Sequence, residues 1–192
     1  MVTHERADGA IHERMGRLAG WSVALLLTTL QPALSQDLAW SDVDCSASRL
    51  VAADGFRCRA TQTYSPGGGS PGAYRFYTAT ATTGEGTTYL YLMEGVDERS
   101  WVRLSRPLTE QLSQSIPLAR AATGWSEVRL HAGSGYALFT GESGESCVGF
   151  RKAGPDRGAG HAWAILGIRC APKGQALGDT DIAAAIESAR AK

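Results

Sequence analysis

An excess of either charge is missing from this sequence: 19 Lys and Arg balance 19 Asp and Glu over 192 residues. No broad field therefore draws polyanions, and without a basic run to supply a local patch no nucleic-acid partner is expected. Apolar runs are short. The longest, Trp21 to Leu30, rises only ~15 Å as a helix, half of the ~30 Å hydrocarbon core, so a stable membrane span is not expected. Cys-x-x-Cys, Cys-x-x-Cys-His and paired short cysteine spacings are absent, which excludes thiol exchange, haem attachment and a zinc knuckle. No phosphate-cradling Gly-x-x-x-x-Gly-Lys-Ser/Thr and no dinucleotide fingerprint occurs, and Gly67 to Gly69 precedes a strand pattern rather than a helix, so no nucleotide cofactor is expected. Asp42-x-Asp44-x-Ser46 opens like a calcium loop, but Ala47 replaces the needed glycine and Ala53 the bidentate glutamate, so no metal is expected either.

What the N-terminus does carry is an export pattern. Arg14 and Arg17 precede the Trp21 to Leu30 stretch, and Ala33 and Ser35 stand at positions −3 and −1 of a cut before Gln36. Residues 1–35 are read as a signal peptide, with Met15 as an alternative start because Glu5, Asp8 and Glu13 are foreign to a positive n-region. Cys45 lies too far beyond Ser35 to accept a lipid. Residues 36–192 then form one domain in the periplasm or outside the cell, still neutral, because Arg6, Arg14 and Arg17 leave with Glu5, Asp8 and Glu13.

All four cysteines fall in that domain, and an even number in an exported chain reads as a disulfide framework. Three connectivities are possible. Cys45 with Cys58 and Cys147 with Cys170 are favoured, because each pair is close in sequence and separated by turn residues. Each bridge would stabilise by roughly 3 kcal/mol through loop closure.

The 23 glycines and 7 prolines cluster between apolar runs, as in a turn-rich β-containing domain. Period-two segments at Phe56 to Thr63, Ala73 to Ala81 and Thr87 to Met93 predict an antiparallel meander, the first break being the Pro/Gly/Ser loop from Ser65 to Gly72. Ser100 to Ser105 is predicted as a short strand. Leu108, Leu112 and Ile116 are spaced by four, which predicts a short helix with Pro107 in its first turn and Pro117 as its stop. Strands resume at Ser126 to His131, Gly135 to Thr140, Ser146 to Lys152 and His161 to Cys170, the last apolar on both faces and therefore central. Asp179 can cap a final helix whose Ile182, Ala185, Ile186 and Ala189 form an apolar stripe. The expected class is α+β: mainly antiparallel sheet, one short internal helix and a C-terminal helix packed on the sheet.

Catalytic sets are thin. Only His131 and His161 of the mature chain could act as a base, with Ser143 as nucleophile. Gly141-Glu142-Ser143-Gly144-Glu145 approaches a nucleophile elbow, yet Glu145 stands where the last glycine is needed and no helix pattern follows. Glu142 and Glu145 could pair for sugar hydrolysis only if their spacing in space allowed it. A binding face is the stronger reading. Arg57, Arg59, Tyr74, Arg75 and Tyr77 lie on neighbouring predicted strands beside Tyr64, Phe76, Tyr89 and Tyr91, and aromatic-plus-Arg surfaces are typical of hot spots. The competing expectation is that alternate aromatics fill the core while the arginines are solvated.

Cys147-Val148-Gly149-Phe150-Arg151, then Leu166-Gly167-Ile168-Arg169-Cys170-Ala171-Pro172 with Gly174, Leu177 and Ile182, resembles the ends of uncharacterised small exported proteins of Gram-negative bacteria. That resemblance implies export and no activity. Trp40-x4-Cys45 followed by Cys58 resembles the invasion-associated locus B proteins, which are exported, disulfide-bonded and linked to host-cell invasion. The closely spaced later cysteine pair of that family is not present here. The expected role is a non-enzymatic binding or accessory protein of the bacterial envelope, its partner another envelope or extracellular protein, with a small periplasmic hydrolase as the alternative.

Overall fold

The structure, a computed structural model, describes residues 38–65 and 72–192. The signal-peptide reading of residues 1–35 and the core of the Pro/Gly/Ser loop lie outside the described residues. Eight strands make one antiparallel sheet: β1 (Trp40–Val43), β2 (Arg57–Thr61), β3 (Tyr74–Thr83), β4 (Gly86–Gly95), β5 (Arg129–His131), β6 (Ser134–Thr140), β7 (Ser146–Ala153) and β8 (Trp163–Cys170). Their order is β1-β2-β3-β4-β8-β7-β6-β5, so two four-stranded meanders join through the last strand of each. In that seam Leu90 lies opposite Gly167 and Tyr91 opposite Leu166.

Two helices lie between and after the strands, α1 (Leu108–Ser115) and α2 (Asp179–Ser188). Because side chains alternate along a strand, each face of the sheet needs its own cover. Helix α1 sets Leu108 and Leu112, with Ile116 just beyond it, against Ala137, Phe139, Cys147, Leu166 and Ile168 on one face. Helix α2 sets Ile182 and Ile186 against a core that includes Leu90, Leu92, Val148, Phe150 and Ile165 on the other. Close approach of α1 requires Gly149, where an added Cβ would lie 2.6 Å from Leu112 Cδ1. The expected α+β class is thereby made coarser: the sheet dominates, and the helices are single covers on opposite faces.

The bridges join Cys45 to Cys58 and Cys147 to Cys170. Each lies in a different core, Cys58 under the α2 face and Cys147 with Cys170 under the α1 face. Two bridges fit a chain that folds in an oxidising compartment. Among the described residues no helix is long and apolar enough to cross a membrane.

Several local expectations are corrected. Ser100 to Ser105 is not a strand; only Val102 bridges His161 there. Its residues are tied by side chains instead: the Ser100 hydroxyl accepts the Ala73 N–H and donates to Asp97 Oδ1, each at 2.7 Å. Pro107 stands at the N-cap of α1 rather than inside its first turn. The N-cap of α2 is Gly178, not Asp179, and Asp181 Oδ2 accepts the Gly178 N–H at 3.0 Å. Of Ser126 to His131 only the last three residues pair as a strand, because the Ser126 hydroxyl takes the Leu138 N–H and the ladder shifts.

Candidate binding face

The α1 face is covered by a helix only over the second meander, where α1 packs. Over β1–β4 its rows read Trp40, Thr61, Phe76 and Met93, then Asp42, Arg59, Thr78 and Tyr91, then Arg57, Thr80 and Tyr89. The two inner strands contribute Thr61, Thr78 and Thr80 beside Arg57, Arg59 and Phe76, and the outer strands contribute Trp40, Met93, Tyr91 and Tyr89. The Trp40 and Tyr91 rings, from strands three apart, approach to 6.3 Å, and Phe76 stacks on Tyr91 at 6.0 Å. Between them Thr61 and Thr78 are each only 5% exposed. The Thr61 hydroxyl is not idle: it accepts the Phe76 N–H at 3.2 Å.

Two arginines rim this cluster. Arg59 lies 6.0 Å from the centre of the Trp40 ring, a cation–π contact. Asp42 binds both guanidiniums, at 2.8 Å from Arg57 and 3.3 Å from Arg59. The Arg57 hydrogen bond, reinforced by both positive charges, holds the Asp42 carboxyl below its ordinary value and raises Arg57. One carboxylate between two guanidiniums leaves the rim cationic. Burial pushes the Tyr91 phenol up, and it also raises Tyr89, against the opposing charges of Arg59 and Arg120. The face can therefore stack planar or apolar groups over Trp40, Phe76 and Tyr91 while Arg57 and Arg59 donate to an acceptor beside them.

Strand alternation divides the residues that the sequence groups together. Arg57 and Arg59 belong to this face, and Tyr74, on the same side, donates its hydroxyl to the Trp101 carbonyl at 3.3 Å. Arg75 and Tyr77 do not. Tyr77 is 5% exposed within the α2-side core, and Arg75 pairs across from Glu94 on that same side and donates to Thr63 Oγ1. Trp40, the ring that completes the cluster, escaped the sequence reading because its strand is only four residues long and runs straight into the turn from Asp44 to Ala47. Its pairing partner Thr61, at the end of a well-patterned strand, is the one signal that could have found it.

The hydrolytic set does not assemble. His131 opens the β5–β6 hairpin and shares a 2.9 Å hydrogen bond with Glu187, and His161 Nδ1 faces the Gly154 carbonyl at 3.1 Å. Ser143 lies past the far end of β6, where its N–H donates to Glu145 Oε2 at 3.1 Å. Strands β6 and β8 run the same way, so both histidines sit at one end of the sheet and Ser143 at the other, roughly 20 Å or more apart at strand rise. A cleft of about 490 Å³ holds Glu142, Ser143 and Glu145 with Thr82, Thr87 and Lys173, and neither histidine lines it.

The arrangement defines a disulfide-stapled antiparallel-sheet protein with one aromatic, arginine-rimmed face. No family model, curated protein or solved structure matches the chain.

Proposed function

We propose that this chain is a non-enzymatic exported protein of the bacterial envelope that binds another envelope or extracellular protein through the Trp40, Arg59, Phe76 and Tyr91 face. The observation that carries the reading is the ring cluster itself, built over two small buried threonines and capped by Arg59. Aromatic side chains flanked by arginine are what protein interfaces concentrate at their centres. Export is supported by the leader pattern and by the two bridges, and the resemblance of the chain's tail to small exported Gram-negative proteins agrees with it.

Site-specific photo-cross-linking in the native envelope tests this. A photoreactive residue in place of Arg59 should give a discrete adduct that is lost on Trp40→Ala. The same group in place of Glu142, at the end of the sheet near Ser143, should give none. Equal adducts at both positions, or none at either, would remove the face from consideration.

A further inference from the structure

We propose that β5 is a self-recognition edge, through which two copies of this chain pair antiparallel and extend their sheets into one. The surface is separate from the ring cluster and goes beyond the binding role proposed above.

The sheet has two edges, and they are built differently. On β1 the largest side chains, Trp40 and Val43, are half-buried, and Asp42 is occupied by Arg57 and Arg59. Inward-held charge is an ordinary means of keeping an edge from pairing. On the other edge four consecutive residues are exposed, Glu127, Val128, Arg129 and Leu130. Leu130 is 78% exposed and Val128 53%, the two highest values among the exposed large apolar side chains of the described residues. Two such side chains on an open strand edge invite a second strand.

The backbone there is free as well. Ala132 and Gly133, with φ of 46° and 76°, form the two-residue turn of a tight hairpin, so His131 and Ser134 are its hydrogen-bonded pair. Alternation then turns the N–H and C=O of Leu130 away from β6 and toward solvent. Val128, just before the strand, has no hydrogen-bonded partner for its backbone among the described residues. Both positions that present apolar side chains therefore also present unpaired backbone groups.

Charge selects the partner and the register. Neither Glu127 nor Arg129 makes an ion pair among the described residues. An antiparallel pair with its two-fold axis at Val128 sets Glu127 of each copy opposite Arg129 of the other, in the non-hydrogen-bonded positions where side chains come closest. An axis at Arg129 would stack that residue on itself, and one at Leu130 would set Arg129 against His131. Only the Val128 axis pairs opposite charges twice while packing Val128 on Val128 with Leu130 diagonal to it. Such an interface is isologous and closes as a dimer. Its strand is three residues long, which places it in the weak class that forms as concentration rises.

Sedimentation velocity of the purified, oxidised protein over roughly a hundredfold range of concentration reads this directly. The weight-average mass should climb from monomer toward dimer. Leu130→Lys should remain monomeric throughout. Glu127→Arg and Arg129→Glu should each weaken dimerisation about tenfold, and the double variant, which restores opposite charges across the axis, should recover most of it. All three substituted sites are exposed, so folding is checked by an unchanged near-ultraviolet circular dichroism spectrum. A wild-type chain that stays monomeric overturns the proposal, as does a dimer indifferent to Leu130→Lys. A double variant no better than the single ones overturns the register.

Discussion

Trp40 and Tyr91 touch across the width of two intervening strands, their ring centres 6.3 Å apart, because the residues beneath them are Thr61 and Thr78. Two small hydroxyl-bearing side chains form a floor over which two large rings lean together. The contact is a property of four residues on four strands, and it fixes the geometry of the proposed face.

That relationship predicts energetic coupling between the two rings. In a double-mutant cycle of Trp40→Ala and Tyr91→Ala, followed by urea denaturation, the coupling should be about 0.5–1.5 kcal/mol, the range of aromatic pairs. Strict additivity would show that the rings are neighbours without interacting. Trp40→Ala alone should leave Thr61 and Thr78 partly hydrated and the sheet intact.

A second prediction concerns alkaline pH. The Tyr91 phenol is raised above its ordinary value of 10.0 by burial, with the neighbouring Tyr89 adding to the effect. A folded-state pKa raised in this way means that the folded protein holds the proton more tightly than the unfolded chain. The associated stability is complete below about pH 10 and declines as pH rises toward the folded value. Tyr91→Phe keeps the ring and removes the proton, so its stability curve should fall less steeply above about pH 10 than that of the wild type. Identical alkaline limbs would contradict the assignment of this titration to Tyr91.

The two bridges should differ in how easily they are reduced. Cys147 is fully buried and Cys170 is 7% exposed, whereas Cys45 is half-buried beside a loop. Partial reduction followed by alkylation and peptide mapping should label Cys45 and Cys58 first. Closing loops with sequence separations of 13 and 23, each bridge should contribute about 3 kcal/mol, the longer slightly more. First labelling at Cys147 would mean that the second meander opens before the first.

Much of this frame can be read from the sequence. The apolar run ending at Cys170 identifies a strand buried on both faces, and β8 is indeed paired on both sides at the seam. Leu108, Leu112 and Ile116 announce α1 by their spacing, and all three are buried. The binding face was half legible. Within one strand, period two separates Arg75 and Tyr77 from Phe76 without ambiguity. Which of those faces continues onto Arg57 and Arg59 depends on strand register, and register is set by the length and turn geometry of the connection. Here that connection is the glycine- and proline-rich stretch from Ser65 to Gly72, whose composition specifies a break but not an offset. Trp40 was hidden for a different reason: a four-residue strand has too few positions to show a period.

The seam between the meanders has a consequence for how the chain reaches its native state. Every other strand pairing joins neighbours in sequence, while β4 and β8 pair residues such as Leu90 and Gly167 that are far apart along the chain. Local hairpins form quickly and distant pairings late, so each meander can assemble before the two meet. During that interval β8 is itself an open edge, with the backbone of its apolar run Ala164, Ile165, Leu166 and Ile168 unpaired on the side that β4 will take. A nascent chain in that state is a template for misassembly with its neighbours. Early oxidation of Cys147 and Cys170, direct cross-strand partners in β7 and β8, would hold one side of β8 in register while the other waits for β4.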